Sequence, residues 1–288
     1  MRVGRLFASP LLTFCRYECG AAGKDATDEH FPRGPTLIMP HAVPFVLWHR
    51  GRDTVIDPNS YVLMNAAELY RAKHPFGCGD RGSALVLRPE ALAGLMAEID
   101  ASAADRPDQP FRQVRIASSP AACVSEGLLA KLTAADGGGE ALELEELALD
   151  LARRAFAGLS VSAAPPRAQA LRSRERDLCE AVKEILARRL GRSVSLTEIA
   201  TALGVSASYL ERTFRRVTGC AVYRYSKRLR LREALRRVVE RDCDLSRLAH
   251  DLGFSSHSHL TAAFRAEFGV TPRSLRRTAS ARTVRGFL

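Results

Sequence analysis

None of the seven cysteines stands in a CxxC pair, so neither a disulfide framework nor a ribbon-type zinc site is indicated, and a reducing cytoplasm is the expected compartment. No apolar run reaches the ~18 residues that span a bilayer, so no membrane partner is expected. Neither a GxSxG elbow, a P-loop nor a Rossmann glycine pattern occurs. The paired histidines that point into a β-barrel from alternate positions of one strand are also missing: the one HxH, His257 and His259, falls at a helix start. With no seat for catalytic chemistry, neither enzymatic activity nor a cofactor is expected. Arg2 and Arg5 precede an apolar stretch in the manner of an export signal, but Pro10 interrupts it. The segment reads as the lead-in to a first strand.

The 288 residues are long for one core and comfortable for two. Charge divides them. Residues 1–166 hold 17 basic and 20 acidic side chains, whereas 167–288 hold 26 and 12, so the net +11 belongs to the C-terminal part. Such an excess is either a footprint for phosphate, where neutralising a polyanion releases its counterions, or a solvated surface.

Between Leu11 and Arg88, apolar runs punctuated by Gly, Pro and Asn (Leu11 to Tyr17, Thr36 to Met39, Val43 to Trp48, Tyr61 to Met64, Ala84 to Leu87) have the spacing of a compact β domain. Helical periodicity begins at Pro89 and returns from Ser119 to Leu132. The helix expected over Glu140 to Leu159 carries two apolar stripes. Leu144, Leu147, Ala148, Leu151 and Ala155 form one; Leu142, Leu149 and Phe156 form the other. A surface helix needs a single stripe for its own core, so the second marks either a homodimer interface or a helix sandwiched within the chain. The expected division is a regulatory and dimerising β-rich domain with flanking helices over 1–160, a linker over 161–172 and an all-α domain over 173–288.

The all-α part is duplicated. Leu203-Gly204-Val205-Ser206 is answered by Leu252-Gly253-Phe254-Ser255, and LxxxFRxxxG begins at Leu210 and again at Leu260. Each copy reads as a helix ended by glycine, a tight turn and a second amphipathic helix, a helix-turn-helix with Ala200 or Ala249 at the close crossing and Val205 or Phe254 plugging the turn. Ser195 and Glu198 form a capping box; Ser206, Asp244 and Ser255 or Ser256 are the further caps, and Thr271 before Pro272 starts a last short helix. A helix over Ala221 to Glu240, ~30 Å long at 1.5 Å per residue, joins the units. That length suits two recognition helices one turn of B-DNA apart.

These features resemble the AraC/XylS family of transcriptional regulators over about residues 178 to 278: two helix-turn-helix units, the linking Tyr225, Arg230 and Ala234, and the closing Gly269-Val270-Thr271-Pro272. His74-Pro75 and Gly79-Asp80, after a run of strands, are similar to the cupin-like sensing domain that often precedes this module. Val222 stands where the family commonly has proline. The resemblance implies promoter DNA and RNA polymerase as partners, transcriptional activation, and control by a small-molecule effector.

On the first recognition helix Ser208, Glu211 and Arg212 are placed to read bases, Arg212 by bidentate bonds to guanine and Glu211 by accepting from cytosine. On the second the readers are His257, Ser258 and Thr261; His257 and His259 either contact DNA or cap and shield the helix. Arg215, Arg216, Lys227, Arg228 and Arg265 are assigned to phosphates, and Arg230 to a structural ion pair. Trp48, His49, Arg50, Tyr61 and Tyr70 are the candidate effector lining. Cys15, Cys19, His30, His74 and Cys78 stand as an alternative thiol or metal sensor.

Overall fold

The apolar runs of the N-terminal part become strands, because β-branched and aromatic residues separated by turn formers suit a pleated, half-buried surface. The computed structural model describes residues 2–20, 23–26, 29–41, 44–74, 79–97, 99–106, 109–134, 140–159, 173–240 and 243–277. Ten strands result: β1 (Arg2–Ala8), β2 (Leu12–Glu18), β3 (Gly23–Ala26), β4 (Thr36–Pro40), β5 (Phe45–His49), β6 (Arg52–Ile56), β7 (Ser60–Met64), β8 (Tyr70–His74), β9 (Arg81–Leu87) and β10 (Arg115–Ala117). They pair antiparallel in two sheets, β1-β2-β9-β4-β7-β10 and β3-β8-β5-β6. Arg50 and Gly51, at φ 48° and 74°, make the two-residue turn between β5 and β6.

Among the described residues, three α-helices accompany the sheets, α1 (Pro89–Ala97) before β10, and α2 (Pro120–Ala134) and α3 (Ala141–Phe156) after it. The first stripe of α3 is buried as expected. The second is not one free face: Phe156 is fully buried, its ring 5.4 Å from that of Phe111, and Leu149 packs partly buried against the same core. Only Leu142 of that stripe is exposed, so Phe156 belongs to this chain's own core and not to a dimer surface.

The C-terminal part is helical throughout its regular structure: α4 (Ser173–Arg188), α5 (Leu196–Ala202), α6 (Ala207–Thr218), α7 (Val222–Glu240), α8 (Leu245–Asp251), α9 (His257–Phe268) and α10 (Pro272–Arg277). The expected linker over 161–172 lies outside the described residues. The first helix-turn-helix has a core of its own, with Cys179, Val182, Ile199, Leu210, Phe214 and Leu229. The second does not. Leu248, Leu252, Leu260 and Phe264 continue, through Leu231 and Leu235 of α7 and Leu128 of α2, into the core beneath the six-stranded sheet. The β domain and the second unit are therefore packed on one another.

Candidate nucleic-acid interface

Each unit is assembled by local hydrogen bonding that its sequence dictates. In the first, Ser195 Oγ accepts from Glu198 N at 3.1 Å and Glu198 Oε2 accepts from Ser195 N at 2.7 Å, a closed capping box at the start of α5. Gly204, at φ 66°, turns the chain, and Ser206 Oγ accepts from Tyr209 N at 3.3 Å to start α6. In the second, Asp244 Oδ1 accepts from Ser246 N and Arg247 N at 2.6 and 3.1 Å, Gly253 turns at φ 69°, and Ser256 Oγ accepts from His259 N at 3.1 Å. Of Ser255 and Ser256, the latter is the cap. Ala200 and Ala249 are buried at the helix crossings, where a larger side chain would force the helices apart.

The outward faces hold part of the expected set. Ser208 and Arg212 on α6, and His257, Ser258 and Arg265 on α9, are exposed. Arg212 has no ion-pair partner among the described residues. Glu211 is placed differently from its expected role. Its Oε1 accepts from Arg215 at 3.1 Å and its Oε2 accepts from Val222 N at 3.3 Å, so it caps the start of α7. That bond uses the N–H that a proline at 222 would lack.

Several basic residues are likewise engaged within the protein. Arg216 donates to Glu175 of α4 at 2.5 Å, and Arg228 Nε donates to Glu267 of α9 at 3.0 Å, half-buried. Arg215 remains largely exposed beside Glu211. Lys227 is half-buried on α7. Arg230 is buried and donates to Ser226 Oγ on its own helix at 3.3 Å and to Gly253 O at 3.4 Å; the second of these hydrogen bonds, and not an ion pair among the described residues, ties α7 to the second turn, and burial pulls its guanidinium below its ordinary pKa. His259 Nδ1 lies 2.9 Å from Ser255 Oγ, with its ring edge-on to Phe254, so of the two histidines it is the shielding one. Thr261 is half-buried with its hydroxyl oxygen inaccessible.

The expected effector lining is not gathered at one place. Trp48 is covered by Arg71, whose guanidinium lies 5.1 Å from the ring centre, and His49 and Arg50 both pair with Glu68, at 2.9 and 2.6 Å. Tyr70 stacks on His30, and burial, aided by Asp80 and Cys19, pushes its phenol up to about 12. All four belong to the four-stranded sheet or its turn, whereas Tyr61 lies on β7 of the other sheet and faces a narrow cavity of about 50 Å³. That cavity separates the β domain from α2 and α7, with Arg16, His41, Tyr61, Glu126, Arg232 and Leu235 on its walls. Arg232 is 5% exposed, and its Nε and Nη1 have no hydrogen-bond partner. The sequence does not single out Arg232, one of several charged residues along α7.

A second set of contacts fixes the first unit on the β domain. Tyr225 of α7 donates from its hydroxyl to Asp57 Oδ2 at 2.6 Å and accepts on its carbonyl from Asn59 Nδ2 at 3.1 Å. Glu180 of α4 accepts from Val55 N at 2.9 Å and from Arg115 at 3.3 Å. Sequence reading found Tyr225 but not this partner, because Asp57-Pro58-Asn59 signals only a turn. Of the remaining candidates, burial pushes the Cys15 thiol up against the influence of Arg5, which makes it a poor thiolate; Cys78 lies outside the described residues.

A helix-turn-helix domain family matches residues 199–278. The chain is similar to the HTH-type transcriptional activator RhaS of Pectobacterium carotovorum, with 33% identity over 108 residues, 38% of this chain and 39% of that protein. Similarity to the HTH-type transcriptional regulator GlxA of Rhizobium meliloti is 33% over 144 residues, 48% and 44% of the two chains. The probable transcription factor PqrA of Proteus vulgaris is 32% identical over 83 residues, 29% of this chain and 68% of that one. The matched stretches thus span less than half the length of the first two relatives and two thirds of the third.

Proposed function

Because the chain belongs to the AraC/XylS family of transcriptional regulators, we propose that it activates transcription by placing α6 and α9 in successive major-groove segments of a promoter. The observation that carries this reading is the pair of capped helices, joined by α7, that expose Arg212 on one and His257 and Arg265 on the other. Arg212 supplies base readout, Ser208, His257 and Ser258 supplement it, and Arg215 and Arg265 hold phosphates. Activation, and with it contact with RNA polymerase, is the mode that similarity to an activator supports. A DNA-binding regulator acts in the cytoplasm, and no described helix is long and apolar enough to cross a membrane.

Control by a small molecule completes the proposal. The cavity between the β domain and α7 touches both parts, and the unpartnered nitrogens of Arg232 favour an anionic group there. A ligand at that place acts on the helix that spaces the two units, with a coupling free energy of ~1 to 3 kcal/mol. Hydroxyl-radical footprinting with the full chain tests the DNA reading. Two protected segments about one helical turn apart are expected; protection of a single segment would assign binding to one unit alone.

A further inference from the structure

Three side chains that can ligate a metal meet at one end of the β domain. Cys19 follows the last residue of β2, His74 ends β8, and Asp80 precedes β9. The first and third continue the six-stranded sheet, where Cys19 N donates to Asp80 O at 2.8 Å, while His74 belongs to the facing sheet. The chain closes on itself here because residue 79 is glycine: a Cβ at that position would lie 1.5 Å from the Cys19 carbonyl oxygen.

The ligand atoms of the three lie within 4.8 Å of one another, and all three residues are buried. His74 Nε2 is 2.5 Å from Asp80 Oδ1. A histidine–aspartate pair serving only to join the sheets would be satisfied by that bond. This one is not: His74 is 1% exposed, yet its Nδ1 has no partner. Buried polar groups left unpaired are uncommon and call for a reason.

We propose that Cys19, His74 and Asp80 form a site for a divalent transition-metal ion of the zinc class. Thiolate and carboxylate together neutralise the ion, and neutral imidazole completes a sulfur, nitrogen and oxygen set that suits zinc and, in the same geometry, cobalt. Three protein ligands leave a fourth position for water or a small ligand. Held by the Cys19 sulfur, a ring nitrogen of His74 and an Asp80 carboxylate oxygen, the ion clamps the two sheets together. Binding releases the thiol proton to solvent, while the imidazole keeps its one proton on the ring nitrogen that faces away from the ion. The site lies in the β domain and does not depend on the DNA-binding reading.

The test uses the full chain, reduced and stripped with a chelator, titrated with cobalt(II) and then zinc(II). Thiolate-to-cobalt charge-transfer absorption should saturate at one equivalent and be lost on adding zinc. Cys19→Ser should abolish it and Cys15→Ser should not; His74→Gln and Asp80→Asn should each weaken binding about tenfold or more. Zinc should also raise the Tm of the parent chain and leave that of Cys19→Ser unchanged. Absence of the charge-transfer band in the parent chain would overturn the site however the variants fold, as would its persistence in Cys19→Ser.

Discussion

The hydroxyl of Tyr225 on the helix that joins the two DNA-binding units lies 2.6 Å from Oδ2 of Asp57, a fully buried carboxylate in the turn between β6 and β7. This bond, with that from Asn59 Nδ2 to the Tyr225 carbonyl, connects the spacer of the DNA-reading helices to the β domain. Tyr225→Phe removes the donor and leaves the carboxylate short of a partner, a loss of about 1 to 3 kcal/mol. Urea denaturation of the two proteins measures it, and equal stabilities would show that the bond does not hold the parts together.

Asp57 also sets a pH dependence. Burial raises its pKa, and Lys183, the Tyr225 hydroxyl and Asn59 N only partly oppose the rise. The folded chain therefore holds this proton more tightly than the unfolded chain. Its contribution to stability is full below the ordinary carboxylate value of about 4 and is lost as pH rises through the raised one. Asp57→Asn should flatten that part of the stability–pH profile; an unchanged slope would assign it to other groups.

Glu211 and Arg212 are neighbours with separate roles. Arg212→Ala should cost ~1 to 3 kcal/mol of binding and relax preference at one base pair. Glu211→Ala removes the acceptor for Val222 N and should cost about 0.5 to 2 kcal/mol of stability while weakening binding evenly across sequences. A binding selection with both variants separates them: a changed base preference in Glu211→Ala would return that residue to base reading.

Arg232 provides the test of the cavity. Screened by thermal shift, a small carboxylate that raises the Tm of the parent chain should leave Arg232→Met unmoved. An equal rise in both would place the ligand elsewhere.

The sequence was most legible where local rules govern. The capping box at Ser195 and Glu198, the glycines 204 and 253 and the LxxxFRxxxG repeat locate both helix-turn-helix units, because capping and left-handed turns depend on residues a few positions apart. The strands at Leu12, Thr36, Phe45 and Tyr61 were legible from apolar runs. β6 and β8 were not, since Arg52, Asp53, Arg71 and Lys73 break the apolar pattern: Lys73 reaches over the intervening β5 to pair with Asp53 at 2.7 Å, and Arg71 covers Trp48. The roles of Glu211, Arg216 and Arg228 depend on partners 11 to 41 residues away, and helix-face reasoning cannot supply such partners. Phe156 misled for the same reason, because Phe111 fills the space beside it.

A salt-dependent binding titration of the full chain, on the promoter region upstream of its own gene against a scrambled duplex of equal length, tests the central claim most directly. Selective binding is predicted, with a logarithmic slope of about −0.9 per phosphate neutralised that falls by roughly one in Arg265→Ala. Equal, weak and salt-insensitive binding to that duplex, to its scrambled counterpart and to genomic fragments would contradict it.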